Sequence, residues 1–221
     1  MRHWRIAADP RSAAPLRASA ADTKRGGGVT LRRARGRVFV VSSPSGGGKT
    51  TVVERLRRKR PRLIRSVSVT TRPPRRGERQ ERDYQFVSPA AFQRLRRSGQ
   101  LLEWATVHDA YYGTPRRPVM RALARGGDIV LSIDVQGARQ VRRALGTQAV
   151  LIFLLPPSMN RLRSRLMRRR TETPAAIRRR LAAARRELAC AAWYDYVVVN
   201  DRLDQTVRAL ETIVTRGALR T

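Results

Sequence analysis

Cysteine is nearly absent from this chain of 221 residues, Cys190 being the only one. A disulfide framework and any multi-cysteine metal site are thereby excluded. The single thiol reads as a reduced, half-buried filler in a helix, which fits a cytoplasmic protein. Long hydrophobic runs are missing too. The longest, Ala149 to Leu155, is far too short to span a bilayer, so a transmembrane helix is not expected. Aromatic residues make up only 5 %, with no stretch interleaving arginine and aromatics that could stack on exposed bases. Acids are few, 16 against 48 basic residues, and the net charge of +32 by itself points to nucleic acid. Lysine is scarcer still: Lys24, Lys49 and Lys59 are the whole set, and every other basic residue is arginine. Long-range attraction to phosphate accepts either cation, so electrostatics cannot ask for that ratio. A coding bias toward arginine, spread over solvated helix faces, accounts for the charge, and nucleic-acid binding is not expected. A lysine kept in such a chain is there for chemistry.

What is present suffices for a core. Hydrophobic residues reach 41 %, enough for one domain, or one core with small insertions. Residues 1–36 show no hydrophobic periodicity. Arginines there alternate with Ala, Ser and Pro and lead into Gly26-Gly27-Gly28. This stretch reads as a disordered basic N-terminal extension. Its Arg- and Ser-rich character also resembles an organelle transit peptide, against which Asp9, Asp22 and the scattered prolines count. From Arg37 onward, β-branched runs alternate with helical segments. Strands are predicted at 38–41, 65–70, 84–87, 101–107, 128–134, 149–155 and 196–199. Helices are predicted at 50–60, from Ser88-Pro89 to near Gly99, and at 115–125, 136–145, 158–170, 174–192 and 203–216. That alternation implies an α/β fold, a parallel sheet covered on both faces by helices. The clustered short strands from about 65 to 118 break the rhythm and read as an insertion with its own small sheet.

The sharpest motif is Ser43-Pro44-Ser45-Gly46-Gly47-Gly48-Lys49-Thr50, set between a predicted strand and a predicted helix. A strand feeding a glycine-rich turn and then a helix N-terminus makes a nest of backbone N–H groups that cradles oxyanions. In such a loop Lys49 reaches the β- and γ-phosphates and Thr50 holds Mg²⁺ through the nucleotide. The usual first glycine is Ser43 here, a mild departure because serine fits that position at negative φ. A glycine-rich turn that merely joins strand to helix is the plain alternative. The strand–helix context and the retained Lys49 argue against it. An NTP-dependent kinase or an NTPase follows; the substrate does not.

Further motifs supply the acceptor. Ser66-Val67-Ser68-Val69-Thr70-Thr71-Arg72-Pro73-Pro74-Arg75, Gly77-Glu78 and Asp83-Tyr84 follow the loop in order. Leu102-Glu103-Trp104-Ala105, Tyr111-Tyr112-Gly113-Thr114, Ile133-Asp134-Val135-Gln136-Gly137-Ala138 and Val199-Asn200-Asp201 come after them. In these motifs and their spacing the chain resembles guanylate kinase of the bacterial type, from about residue 37 to 217. The resemblance implies a P-loop NTPase core (37–64, 119–157 and 187–217), a small mixed β-rich GMP-binding insertion (65–118) and a helical lid (158–186). It implies phosphoryl transfer from Mg·ATP to GMP, with ATP and GMP as the partners. Ser68, Arg72, Arg75, Tyr84 and Tyr112 are thereby expected to hold the GMP phosphate, and Glu103, Thr114 and Asp134 to read the guanine. The chemistry agrees. Two arginines three residues apart, with hydroxyls nearby, suit a phosphomonoester. A carboxylate such as Glu103 can accept both N1–H and N2–H of guanine, whereas adenine offers no N1–H.

Phosphoryl transfer needs positioning and charge neutralisation more than a base. By family position Arg169 and Arg180 are the expected lid cations, with Arg165 behind them. Two departures stand out. Arg168-Arg169-Arg170 replaces the usual Gly-Arg-Gly lid turn, and Ser132 stands where the family often carries an acid. Both are expected to lower efficiency rather than abolish activity. Three other functions compete: a guanylate-kinase-like protein-binding scaffold without ATP chemistry, another P-loop nucleoside monophosphate kinase, and a nucleic-acid binder. The intact phosphate nest counts against the scaffold, and Glu103 with Asp134 against a different kinase. The sequence sets no oligomeric state.

Overall fold

The computed structural model describes residues 36–107, 109–167 and 174–218. The proposed extension, apart from Gly36, and the lid arginine Arg169 therefore lie outside the described residues. Strand β1 (Val38–Ser42) is buried along its whole length and runs through the middle of a parallel sheet. β7 (Ile129–Ser132) pairs with one side of it and β8 (Ala149–Leu155) with the other. β2 (Ile64–Arg65) and β9 (Tyr196–Val199) add parallel edges, giving the order β2-β7-β1-β8-β9. Side chains of β1 alternate between two cores, as the period of two demands. Val38 and Val40 pack with Val119, Leu123, Val141 and Phe153. Phe39 and Val41 pack with Val53, Leu56, Ile152 and Leu210. Helices α3 (Arg116–Ala124) and α4 (Val135–Leu145) thus cover one face. Helices α1 (Lys49–Lys59) and α7 (Leu203–Ala218) cover the other. Phe39 and Phe153 are fully buried, and truncating either to alanine costs about 3–5 kcal/mol.

A second sheet holds β3 (Val69–Thr70), β4 (Gln85–Phe86), β5 (Leu101–Val107) and β6 (Ala110–Pro115) in the order β4-β3-β6-β5. It is mixed: β3 runs parallel to β4 and antiparallel to β6, and β5 with β6 forms a hairpin with Asp109 at φ 64 in its turn. Helix α2 (Pro89–Arg97) begins as its sequence predicts, with the Ser88 hydroxyl accepting from the Ala91 N–H. The single strand expected at 65–70 is two. Arg65 belongs to the large sheet and Val69 to the small one, with Ser66–Ser68 crossing between them. Backbone propensity along 65–70 is uniformly strand-like, so only the pairing partners reveal the break. Helices α5 (Met159–Met167) and α6 (Pro174–Ala189) bury Leu162, Leu166 and Ala184 in a small core of their own. The large-sheet strands end together at Ser42, Arg65, Ser132, Leu155 and Val199. In an open α/β sheet that C-terminal edge is where ligands bind.

Candidate active site

The loop leaving β1 folds as an anion cradle. Gly46 and Gly48 take φ values of 84° and 89°, which L side chains rarely adopt. Gly47 has no room for a Cβ, which would lie 2.4 Å from the Ser43 hydroxyl oxygen. Ser43 is buried and is not among the positive-φ residues, so serine stands there without backbone strain. Lys49 Nζ folds back over the loop, donating to the Ser43 carbonyl at 2.7 Å and to its hydroxyl at 3.3 Å. Pro44 accepts from the Gly47 N–H at 2.8 Å and closes the turn. Behind the loop stands Asn200, a residue to which the sequence attached no role. Its side-chain amide donates to the Gly47 carbonyl at 2.7 Å, and its backbone carbonyl accepts from Arg165 at 2.9 Å. Its signal was its membership of the Val199-Asn200-Asp201 motif, directly after the last strand.

Thr50 is exposed at the start of α1 and opens onto a cleft that also holds Ser68, Tyr84 and Ser132. Glu54 and Arg65 line the same cleft and pair at 2.6 Å. Next to it, Arg72 is clamped by both oxygens of Glu78 at 3.0 and 2.9 Å, and its Nε donates to the Tyr112 hydroxyl at 3.2 Å. The Arg72 guanidinium also lies 5.4 Å from the Tyr84 ring, and Tyr84 meets Tyr112 edge-on. Burial works against the Arg72 charge, but Glu78 and Tyr112 outweigh it and hold the group above its ordinary pKa. Burial likewise raises the Tyr84 phenol, which stays a neutral donor. Arg75 is exposed, with its backbone N–H fixed by Glu78 at 2.7 Å. Glu78, which the sequence showed only as part of a motif, thus organises both arginines.

The three guanine-reading candidates come from three different elements. Glu103 on β5 is only 3 % exposed, and Thr114 on the neighbouring β6 donates to its Oε1 at 2.6 Å. Helix α4 can lie against that carboxylate because Gly137 carries no side chain; a Cβ there would sit 2.2 Å from Glu103 Oε2. Asp134 caps the same helix, accepting from the Gly137 N–H at 2.9 Å. Burial pushes the Glu103 carboxyl up to about 7, the Thr114 hydroxyl pulls it back, and the nearby Asp134 charge adds to the rise. A buried carboxylate, which only accepts hydrogen bonds when ionised, suits a ligand edge rich in N–H groups.

Comparison with known proteins is decisive about the family. The guanylate kinase family profile matches residues 35–217. A guanylate kinase of Gloeobacter violaceus is 49 % identical over 178 residues, covering 80 % of this chain and 86 % of that protein. One from Carboxydothermus hydrogenoformans is 42 % identical over 186 residues, covering 84 % and 91 %. The crystal structure of guanylate kinase from Anaplasma phagocytophilum superposes with a TM-score of 0.72 at 34 % identity, covering 85 % of this chain and 89 % of that one. The chain belongs to the guanylate kinase family. As a guanylate kinase family member it has the parallel, helix-covered sheet expected of a P-loop fold.

Above the guanylate kinase loop lie the α5–α6 helices. Leu162 and Leu166 approach Gly46 so closely that a Cβ there would lie 2.8 Å from Leu166. Arg180 on α6 reaches the Ser45 hydroxyl at 3.5 Å. Glu187, further along α6, lies near the Ser45 backbone N–H and Lys49; burial raises its carboxyl, and those two groups draw it back. Sequence reasoning missed Glu187, although it is the one acid of an arginine-rich helix. Among the described residues, no helix is long and apolar enough to cross a membrane.

Proposed function

We propose that the chain transfers the γ-phosphoryl group of ATP to GMP, giving ADP and GDP, as a cytoplasmic enzyme of purine nucleotide recycling. The observation that carries this function is the shared cleft. Thr50, at the donor-phosphate loop, and Ser68 and Tyr84, among the acceptor-phosphate candidates, line one space. Residues 65–118 act as the GMP-binding insertion, 158–186 as the lid, and 37–64, 119–157 and 187–217 as the core. The loop N–H groups of 43–50 and Lys49 bind the donor phosphates. Arg180 neutralises charge from the lid side, the role assigned also to Arg169. Ser68, Arg72, Arg75, Tyr84 and Tyr112 fix the GMP phosphate. Glu103, Thr114 and Asp134 select guanine, because Glu103 accepts from two N–H groups that adenine cannot both supply. A carboxylate left partly unpaired costs on the order of 1–3 kcal/mol per group, enough to discriminate.

Mg²⁺ fits this site as part of the nucleotide complex. Among the described residues, no group of three or more His, Cys, Asp or Glu is placed to hold a metal by itself. Mg²⁺ takes few protein ligands beside substrate phosphates, and the exposed Thr50 hydroxyl at the loop would supply one. Mg²⁺ held there with ATP would offset negative charge on the transferring phosphoryl group.

The test follows ADP formation from Mg·ATP with GMP, AMP, CMP and UMP in parallel. Turnover with GMP alone is expected. Turnover with AMP in preference would move the assignment to another nucleoside monophosphate kinase. None with any acceptor, from a folded protein, would support the scaffold instead.

A further inference from the structure

Ser45, at the crest of the phosphate loop, meets two residues of helix α6. Its backbone N–H faces the Glu187 carboxylate closely enough to act on its charge, and its hydroxyl accepts from Arg180 at 3.5 Å. Arg180 and Glu187 are seven residues apart on one helix, two turns, and so share a face. Between them Ala184 is fully buried and packs with Leu162 and Leu166, the residues that close on Gly46. The helix pair therefore rests on the loop through an apolar contact flanked by a carboxylate and a guanidinium. Glu187 Oε2 is buried with no hydrogen-bond partner of its own, and Lys49 and Arg186 are the cations whose charge acts on that carboxylate. A buried acid with an unsatisfied oxygen is not a stabilising device, so a purely structural role explains it poorly.

We propose that Glu187 is a positioning residue for phosphoryl transfer: it pins α6 to Ser45 and thereby aims Arg180 at the donor phosphates over the loop. This rests on the ATP:GMP phosphotransferase reaction given above. Neither residue alone sets the arrangement. Glu187 fixes the height of the helix over the loop, and Arg180 can then reach phosphate from a helix that no longer slides or lifts. In the same place Glu187 faces Lys49, so the lysine is balanced against a fixed anion until phosphates arrive.

The test compares Glu187→Ala, Glu187→Gln, Glu187→Asp, Arg180→Ala and the Glu187→Ala/Arg180→Ala double variant in the full chain. It measures kcat, both KM values, thermal melting, and the affinity for the non-hydrolysable β,γ-imido analogue of ATP. Glu187→Ala is expected to lower kcat about tenfold with KM for GMP little changed. Glu187→Gln recovers most of that loss, because its amide keeps the length and an acceptor oxygen facing the Ser45 N–H. Glu187→Asp, one methylene short, behaves like alanine while keeping the charge, and serves if the alanine variant does not fold. The double variant is expected to be no slower than Arg180→Ala alone, since both remove one joint function. Losses that multiply in the double variant, or an unimpaired Glu187→Asp, would overturn the proposal. So would a fall in every parameter that follows the melting temperature. If the wild-type chain makes no ADP with GMP, the reaction assignment fails by itself. The analogue's affinity then decides the role of Glu187: a drop of about threefold or more in Glu187→Ala supports it, and unchanged affinity overturns it.

Discussion

The two ends of the site are built on opposite principles. The proposed phosphate end is eight consecutive residues, 43–50, and the groups it offers are mostly backbone N–H that no side-chain substitution removes. The proposed guanine end is three side chains from β5, β6 and the start of α4, brought together by a hairpin pairing and by the missing side chain of Gly137. One end is a local conformation and the other is a product of packing. A contiguous loop fails when its one charged side chain is removed. An assembled cluster fails by degrees, as its members drift apart.

The largest effect tests the first half of that contrast. Lys49→Ala removes the only lysine of the loop and is expected to lower kcat by roughly 10³-fold, because charge neutralisation carries most of this chemistry. GMP binding, measured by calorimetry, should stay within about twofold, since the guanine end shares no residue with the loop. A matching loss of GMP affinity would mean that the two ends are one cooperative unit.

Glu103→Gln probes the other half with a smaller effect. The amide keeps the volume but offers one acceptor oxygen and a competing donor, so kcat/KM for GMP is expected to fall about 10- to 100-fold. Discrimination against AMP should narrow with it, which steady-state rates with both acceptors would show. The same carboxyl carries a pH signature. Its folded pKa is near 7 against an ordinary value of 4.5, so the folded state holds an extra proton between those limits. Stability therefore falls as pH rises from about 4.5 to 7 and is level above, by on the order of 3 kcal/mol. Guanine binding needs the ionised form, so GMP affinity rises with pH up to about 7 and binding below that releases a proton. Calorimetry in buffers of different ionisation enthalpy reads that proton directly, and in Glu103→Gln it should vanish.

The same contrast explains what the sequence revealed. The loop was legible because its residues are adjacent and because lysine is rare in an arginine-saturated chain. Most strands and helices were legible from their periodicity, with α2 announced by Ser88-Pro89. The split of 65–70 between two sheets was not, because pairing partners leave no local trace. Glu78, Asn200 and Glu187 were missed as functional supports for a related reason. Each acts on a partner that is set by tertiary placement or on a backbone group, and neither leaves a mark in spacing.

Asn200→Ala ranks next. The Gly47 carbonyl loses its buried partner and the loop its backing, which costs about 1–2 kcal/mol and lowers the melting temperature by roughly 5 °C. KM for ATP should rise more than KM for GMP, because the damage is confined to the contiguous end. Equal rises in both would again point to a single cooperative site.

The smallest effect concerns Ser132, where the family often has an acid. If that acid were needed to orient the phosphate-binding arginine, its replacement would weaken GMP binding. The geometry gives that task to another residue, for Arg72 is already held by both oxygens of Glu78 and by the Tyr112 hydroxyl. The arginine that shares the cleft with Ser132 is Arg65, and Glu54 already pairs with it. A carboxylate introduced by Ser132→Asp therefore competes for a cation that is already paired. It is expected to change KM for GMP by less than about twofold, while Glu78→Gln raises it about tenfold by releasing Arg72. Measured side by side, the two variants show where the acceptor end takes its order. A reversed ranking would return the orienting role to position 132, making this chain's serine a true loss rather than a replaced part.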